Sequence, residues 1–362
     1  MTSQTDFIID KSNLHNSKWV QSPLPDNLES GQVLLAIDNF AFTANNITYA
    51  VAGDTMSYWQ FFPTQDGWGR VPVWGFANVV QSANDNVKVG ERVYGYFPMS
   101  SHLLVNAAGD GEKSWYDQSK HRAKLSRVYN QYVRTEKDPG YDPKNEAAQM
   151  LFRPLFMTSF LIDDFLSDNN LFGADQIVIT SASSKTSIGL AHQIHHNHAE
   201  ECSAIGLTSS ANLAFVKSLG VYDRVVTYEN LETLNKVPTV SVDMAGNGEV
   251  LARIHQHFGE RLQYSCLVGV THWEARRGAQ DMIGPDPILF FAPDRVEKRS
   301  KDWGPGGLDN KLASAWQSFI DASDGWISST QKSGQAAVEE IYHLTLEGKA
   351  RADTGYILTV NE

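Results

Sequence analysis

The chain has 362 residues, of which 42% are hydrophobic and 20% are charged, and its formal net charge is −12. This length favours two domains, because single hydrophobic cores rarely grow beyond about 250–300 residues. The acidic balance argues against a nucleic-acid partner, since neutralising phosphates requires a basic surface. Two cysteines, Cys202 and Cys266, are too few for a disulfide framework or a cysteine zinc site, and they indicate a reducing compartment. We therefore expect a small-molecule substrate.

The sequence offers no membrane-targeting signal. The opening MTSQTDFIIDKSN lacks an apolar core of signal-peptide length, and no later segment approaches eighteen uninterrupted apolar residues. The sequence therefore predicts a cytoplasmic protein with no membrane partner.

The first part of the chain has the pattern of strands and turns. Over residues 31–105, GQVLLAIDNFAF, VPVWGFANVVQSA and GERVYGYFPMSSHLLV are β-rich runs interrupted by Gly, Pro and Asn. Residues 106–150 then become polar and charged up to the turn signal DPGYDP. We interpret this second stretch as an insertion or lid rather than as core.

From Phe152 onward, short apolar strands alternate with amphipathic helices. The order is FRPLFMTSFLIDDFL, QIVIT, TSIGLAHQIHHNHAEE, CSAIGLT, SANLAFVKSLG and RVVTY, followed by the strands TVSVDMAG, LQYSCLVGV and ILFFA. Such alternation predicts βαβ units and a parallel sheet, here of six strands. The last fifty residues hold one helical pattern, AAVEEIYHLTLEGKA, and a closing strand, GYILTV.

The stretch QIVITSASSKTSIGLA, residues 176–191, resembles the first strand, turn and helix of a dinucleotide-binding fold, but its turn contains no glycine. Dinucleotide sites use glycine there so that the backbone can approach the pyrophosphate, which sits on the N-terminus of the following helix. Serine and threonine are small and cap helices, and Lys185 adds a positive charge. Two interpretations stay open: a pyrophosphate site built without glycine, and a turn that has lost its ligand.

Five stretches of the chain carry a family resemblance. They are GQVLLAIDNFAFTANNITYAVAG, VPVWGFANVVQSANDNVKVGERVYGY, MTSF, FVKSLGVYDRVVTY and EGKARADTGYILTV. In this order they are similar to motifs of the medium-chain dehydrogenase/reductase superfamily, among them P-x-x-G, V-x-x-G-D-R-V, L-T-A-Y and K-x-x-G-A-D-x-V-I-x-Y. Within it, the chain resembles the zinc-free quinone and enoyl reductases, in a branch with a Ser-Lys-Thr turn in place of the glycine turn.

The resemblance implies an α/β fold with two domains. A Rossmann-type parallel-sheet domain would span 151–309, and a β-rich GroES-like substrate domain would comprise 1–150 and 310–362. The resemblance also implies a homodimer joined through the edge of the parallel sheet, for which the apolar ILFFA is a suitable edge strand.

The implied activity is metal-free, NADPH-dependent reduction of an activated C=C or C=O bond, as in a quinone, an enone or an enoyl thioester. Catalytic zinc is excluded because the family's zinc enzymes carry a G-H-E motif, whereas Gly75 is followed here by Phe76 and Ala77. The missing glycines keep an alternative open, a non-catalytic descendant of the fold that binds a metabolite or a partner protein.

The loop GLTSSAN after the second strand favours NADP(H). NAD-selective folds place Asp or Glu there to bind the ribose hydroxyls, whereas a 2′-phosphate repels a carboxylate, and this loop has hydroxyls and no acid. By resemblance, Tyr228 also packs near that phosphate. The predicted cofactor-binding residues are Thr158, Ser181, Ser183, Ser184, Lys185, Thr186, Ser187, Thr208, Ser209, Ser210, Tyr228, Ala245, Gly246, Gly269, Val270 and Thr271.

Without a metal, hydroxyl or imidazole groups must donate the proton. Tyr49 and Tyr58 are the first candidates, with packed, hydrogen-bonded aromatics as the alternative. His272, in THWEARR, follows a predicted parallel strand, and such loops face the ligand crevice. Its alternative is an ordinary surface histidine.

Two further clusters have structural alternatives. HQIHHNH places His192, His195 and His196 at a spacing that metals can use, but we interpret it as a solvated helix end and predict no metal site. The basic run RVEKRSKDWGPGG, residues 295–307, has the composition of a solvated face, with closure over the cofactor as the alternative.

Overall fold

The computed structural model describes residues 3–109, 111–268 and 282–362. It divides the chain into two compact units, Met1–Leu151 with Ser328–Glu362, and Phe152–Ile327. The chain returns to the first unit at Ser328 rather than at the predicted residue 310, because the helix Gly307–Ser323 belongs to the second unit. Phe319 on that helix packs against Phe152 and Phe156, with ring centroids 5.2 and 4.7 Å apart.

The strands of the described residues are β1 (Ser3–Asp10), β2 (Asn13–Pro23), β3 (Gln32–Phe42), β4 (Trp68–Gly69), β5 (Pro72–Ser82), β6 (Arg92–Pro98), β7 (His102–Ala108), β8 (Ser114–Asp117), β9 (Gln131–Arg134), β10 (Gln176–Ile179), β11 (Ser203–Thr208), β12 (Arg224–Thr227), β13 (Thr239–Asp243), β14 (Leu262–Leu267), β15 (Ile288–Leu289), β16 (Ser328–Ser333) and β17 (Thr354–Thr359). The helices are α1 (Ala44–Val51), α2 (Glu146–Asp168), α3 (Lys185–His198), α4 (Leu213–Ser218), α5 (Gly248–Phe258), α6 (Ala292–Asp302), α7 (Gly307–Ser323) and α8 (Gln335–Leu346). None of these helices is long and apolar enough to cross a membrane.

The first unit is built on a closed sheet. Its eight strands follow the order β16-β17-β3-β5-β6-β9-β8-β7, and β3 also pairs with β7, so that the sheet returns on itself. Val33, Leu35 and Ile37, which alternate along β3, are buried in the core. The C-terminal strand β17 pairs with β3. This mainly antiparallel arrangement confirms the β-rich GroES-like fold.

Residues 106–150 are not a polar lid. They supply the end of β7 and all of β8 and β9, which join the closed sheet. Trp115 and Tyr132 are fully buried, with ring centroids 4.6 Å apart. The buried Arg122 forms an ion pair with Asp117 at 3.2 Å. The charged composition did not indicate a core segment, because Lys113, Lys120, Lys124 and Arg127 are exposed while the buried Arg122 is paired and the aromatic residues Trp115 and Tyr132 belong to the core.

The second unit contains a six-stranded sheet in the order β12-β11-β10-β13-β14-β15, with every pairing parallel. The four residues of β10 are all buried, as a strand covered on both faces requires. The order confirms the predicted Rossmann-type fold, in which ligands bind outside the carboxyl ends of the strands where the order reverses. Here that point lies between β10 and β13.

The basic run 295–307 and the histidine cluster are solvated only in part: His195, His196, Lys298 and Lys301 are exposed as predicted, but a basic residue of each segment packs inside. Arg295 on α6 is buried and pairs with Asp164 and Asp168 of α2. On α3, His192 is buried and its ring lies 5.4 Å from that of Phe319. Both segments therefore contribute to packing between helices of the second unit.

Candidate functional site

The turn after β10 keeps a conformation that usually requires glycine. Ser181 has φ of 47°, in the left-handed region, which costs an L-residue roughly 1–2 kcal/mol. Its backbone N–H donates to the Tyr228 hydroxyl at 2.9 Å, and its carbonyl accepts from the Ser184 N–H at 2.7 Å. Backbone strain of this kind persists where the surrounding contacts fix it and is concentrated at functional sites.

Replacing Ser181 by glycine should raise the free energy of unfolding by about 0.5–1 kcal/mol, because relief of the left-handed strain outweighs the extra chain entropy of glycine. Ser181→Val should have the opposite effect, since β-branched residues rarely adopt positive φ. Urea denaturation of both variants measures the difference. A glycine variant less stable than wild type would contradict the strained conformation.

The hydroxyls of the turn form a chain at the start of α3. Ser184 caps the helix by accepting from the Ser187 N–H at 3.2 Å, and its hydroxyl donates to the Ser187 hydroxyl at 2.8 Å. The Ser187 hydroxyl donates in turn to the Thr180 carbonyl at 2.9 Å. The backbone N–H groups of Lys185 and Thr186 have no intrahelical acceptor, as in any first helical turn. The α3 N-terminus thus offers donors to an anion.

Lys185 is the first residue of α3. Among the described residues no acid or hydrogen-bond acceptor pairs with its ammonium group, and burial lowers its pKa to about 8. A partly desolvated, unpaired cation beside free helix N–H groups is suited to an anionic ligand.

Neighbouring elements support the turn from two sides. The Ser159 hydroxyl on α2 donates to the Thr186 carbonyl at 2.7 Å, and Gly189 allows this approach because a Cβ there would lie 2.7 Å from that hydroxyl. The predicted residue Thr158 is adjacent to Ser159 on the same helix. The sequence motif MTSF did not single out Ser159, whose role depends on packing between two helices.

The ends of β10 and β13 are joined through a buried carboxylate. Asp243 accepts from the Thr180 hydroxyl at 2.6 Å and from the N–H groups of Ala245 and Gly246 at 3.1 and 3.3 Å. Burial raises the pKa of Asp243. Ala245 and Gly246, both predicted to bind cofactor, therefore use backbone N–H groups to hold the carboxyl ends of these strands together.

The loops after β11 and β12 converge on the same turn. Asn212 donates to the Ser183 hydroxyl at 3.1 Å, and Ser210 donates to Glu229 at 3.3 Å. Thr208 is buried, and Ser209 precedes the 3₁₀ turn Ser210–Asn212. The predicted residues that follow β10, β11 and β12 thus lie along adjacent carboxyl ends of one sheet. Glu229, which was not predicted, lies beside them.

Four predicted residues lie outside the described part of the chain. These are Gly269, Val270, Thr271 and His272. Their assignment to the cofactor and the proton donor stays a prediction.

The two predicted tyrosines belong to an aromatic cluster in the first unit. The rings of Tyr49 and Tyr58 are 4.7 Å apart, and Trp74 donates to the Tyr49 hydroxyl at 3.3 Å. The Tyr58 and Tyr129 hydroxyls are 3.5 Å apart, and the ring of Tyr96 lies 4.8 Å from that of Tyr129. Tyr129 and Tyr96 were not among the candidates, because one lies in the segment interpreted as a lid and the other inside a strand.

All members of this cluster keep their protons at neutral pH. Burial raises the pKa of Tyr49, Tyr58, Tyr96 and Tyr129. Each phenol is therefore a hydrogen-bond donor rather than a phenolate, which is the state a proton donor needs.

Within the described ranges no three His, Cys, Asp or Glu side chains are arranged to hold a metal ion. Cys202 and Cys266 are both buried, and burial raises the pKa of each thiol to about 12. Neither thiol is a reactive nucleophile at neutral pH.

A family model described as "Protein of unknown function (DUF2855)" matches residues 40–351. The chain belongs to this family. A comparison with curated protein sequences found no match.

Solved structures place this DUF2855 protein in a known fold. It is similar to CurA from Vibrio vulnificus in complex with NADPH, with a TM-score of 0.63 and 13% identity over 99% of both chains. A mutant form of enoyl thioester reductase from Candida tropicalis gives a TM-score of 0.58 and 11% identity over 99% of this chain and 100% of that chain. The quinone oxidoreductase from Coxiella burnetii gives 0.55 and 14% over the same shares. These similarities confirm the medium-chain dehydrogenase/reductase fold.

Proposed function

We propose that this protein is a metal-free, NADP(H)-dependent reductase of an activated C=C or C=O bond. The observation that carries the proposal is the turn from Ser181 to Ser187, which keeps the left-handed backbone of a pyrophosphate site and adds the unpaired Lys185. The similar structures include one in complex with NADPH, a reductase of enoyl thioesters and a quinone oxidoreductase. A quinone, an enone or an enoyl thioester is the proposed substrate.

The residues present fit the cofactor. The N–H groups at the start of α3 and the Lys185 ammonium would hold the pyrophosphate, and the hydroxyls of Ser209 and Ser210 would contact the adenosine ribose and its phosphate, whereas Thr208 is buried at the end of β11. When bound, NADPH supplies the hydride.

The hydroxyl cluster of the first unit would supply the proton. Tyr49, Tyr58 and Tyr129 stay protonated at neutral pH because burial raises their pKa values. A hydroxyl of this kind stabilises developing enolate charge by a hydrogen bond and can then transfer its proton. Because Tyr129 is in contact with Tyr58, it would replace the proton that Tyr58 donates.

Tyr58→Phe should lower kcat by roughly tenfold, which is less than the full effect of a lost general acid because Tyr49 and Tyr129 keep their hydroxyls. Tyr129→Phe should have a similar but smaller effect, and Tyr116→Phe, outside the cluster, should have none. Steady-state NADPH oxidation and the Kd for NADPH are measured together. An unchanged kcat in both Tyr58→Phe and Tyr49→Phe would show that the aromatic cluster does not supply the proton.

Binding decides between a reductase and a non-catalytic descendant of the fold. The pure protein should shift and enhance NADPH fluorescence, and a panel of quinones, enones and enoyl thioesters should then reveal NADPH oxidation. Absence of NADPH binding by a folded protein would favour the alternative, a protein that binds a metabolite or a protein partner.

We also propose a homodimer joined through β15. This short strand is the last of the parallel sheet among the described residues, and Ile288, Leu289 and Phe291 are 51%, 41% and 48% exposed. An apolar strand with unpaired backbone groups favours pairing with a second copy. Light scattering at micromolar concentration should give the mass of two chains, and Leu289→Lys should give that of one. A monomeric wild type would contradict this proposal.

A further inference from the structure

An acidic side chain lies beside the hydroxyl loop that follows β11. Glu229 accepts from the Ser210 hydroxyl at 3.3 Å, although it comes from the segment after β12. Thr208 and Thr227 are register partners at the ends of these two strands, so that the loops start side by side. Tyr228, adjacent to Glu229, is fixed by the Ser181 N–H at 2.9 Å. The position of Glu229 is therefore tied to the turn.

The carboxylate of Glu229 is ionised at neutral pH and forms no ion pair within the part of the chain that the structure describes. Hydrogen bonds from its own backbone N–H and from the Thr227 hydroxyl lower its pKa. The guanidinium of Arg253 lowers this pKa further, but it forms its ion pair with Glu232, at 2.8 Å. The loop 208–212 reads Thr-Ser-Ser-Ala-Asn and carries no positive charge.

This arrangement has opposite consequences for the two nicotinamide dinucleotides. A carboxylate near the adenosine ribose can accept a hydrogen bond from a free 2′-hydroxyl, and it repels a 2′-phosphate of charge about −1.5 to −2. The Ser209 hydroxyl can donate to either group and therefore favours neither, whereas the Ser210 hydroxyl donates its single proton to Glu229.

We propose that Glu229 is a specificity-determining residue that keeps the preference for NADPH over NADH small. The inference rests on the proposed function, because it assumes that the second unit binds these dinucleotides. It assigns to Glu229 the selective role that the loop after β11 has in other dinucleotide-binding folds.

The test compares wild type with Glu229→Gln, which keeps an acceptor for Ser210 and removes the charge. The matched control is Glu260→Gln, an exposed carboxylate that precedes the amino end of β14, at the opposite side of the sheet. The Kd is measured by fluorescence for NADPH and NADH, and by calorimetry for adenosine 2′,5′-bisphosphate and AMP.

Glu229→Gln should lower the Kd for NADPH and for adenosine 2′,5′-bisphosphate by about three- to tenfold, as expected when the charge of a carboxylate several ångströms from a phosphate in water is removed. The Kd values for NADH and AMP should change by less than about twofold. Glu260→Gln should leave the Kd values for all four ligands unchanged. The gain should shrink as salt is raised from 50 to 500 mM, because salt screens the repulsion.

Two outcomes would overturn the inference while leaving the proposed function intact. One is an equal change in the Kd values for NADPH and NADH in Glu229→Gln. The other is a wild-type preference for NADPH over NADH above about a hundredfold. If wild type binds none of the four ligands, the proposed function fails and the role of Glu229 fails with it.

Discussion

Replacing Lys185 by alanine should weaken NADPH binding by roughly ten- to a hundredfold. A charge-assisted contact to the pyrophosphate is typically worth about 1.5–3 kcal/mol, and about 1.4 kcal/mol corresponds to tenfold in Kd. NADH should lose a similar factor, because both cofactors carry the pyrophosphate. Ser209→Asp should instead weaken NADPH alone.

The pH dependence gives a second measure of Lys185. Burial lowers the pKa of its ammonium group to about 8. As the pH rises from 7 to 9 the free protein loses this charge, so the Kd of wild type for NADPH should rise, whereas that of Lys185→Ala should stay flat. The 2′-phosphate is already ionised over this range and contributes no slope.

Lys185→Arg should keep most of the affinity and shift the decline beyond pH 9, since a guanidinium stays protonated. Lys217→Ala, on the exposed face of α4, is the matched control for loss of one positive charge and should bind NADPH like wild type. Unchanged NADPH affinity in a folded Lys185→Ala protein would mean that the glycine-free turn has lost its ligand.

Local patterns predicted the elements that hold this site. The apolar QIVI segment became the central strand β10, and the Ser-Lys-Thr turn became the start of α3, because strand burial and helix capping depend on a few adjacent residues. The left-handed φ of Ser181 could not be predicted from the residue itself. It follows from the contacts that Tyr228 and Ser184 make around it.

Residues brought in by tertiary structure escaped prediction. Glu229 accepts a hydrogen bond from Ser210 although it lies 19 positions further along the chain. The loop after β11 therefore has a carboxylate beside it, although its own sequence contains no acid. Tyr129 lies in a charged segment and meets Tyr58 from 71 positions away. Neither contact leaves a periodic signal, because each depends on how two segments meet after the sheets have formed.

The basic run that was interpreted as a solvated face became the helix α6, fixed to α2 by ion pairs. Arg295 and Arg299 both contact Asp164, and Arg295 also contacts Asp168 at 2.8 Å. Only 7% of the Arg295 side chain and 11% of the Asp164 side chain are exposed. Little water therefore screens these charges.

Arg295→Ala should lower the free energy of unfolding by about 3 kcal/mol, at the lower end of the 3–5 kcal/mol typical for one partner removed from a buried pair, because Asp164 retains Arg299. In a thermal scan the melting temperature should fall by roughly 6–12 °C, at about 2–4 °C per kcal/mol for a unit of this size. Lys301→Ala, which breaks an exposed pair with Glu297, should cost less than about 1 kcal/mol.

Acid titration should distinguish the ion pairs from simple packing loss in Arg295→Ala. Hydrogen bonding from Arg295 lowers the pKa of Asp168 in the folded protein. As the pH falls below about 4, the unfolded chain is protonated on this carboxyl before the folded chain, and wild type loses stability there. Arg295→Ala should lose less stability over the same interval, since the pKa of its Asp168 is closer to that of an ordinary carboxyl. If the free energies of unfolding of the two proteins fall in parallel between pH 5 and 2, Arg295 acts by packing alone and its charge does not stabilise the contact between α6 and α2.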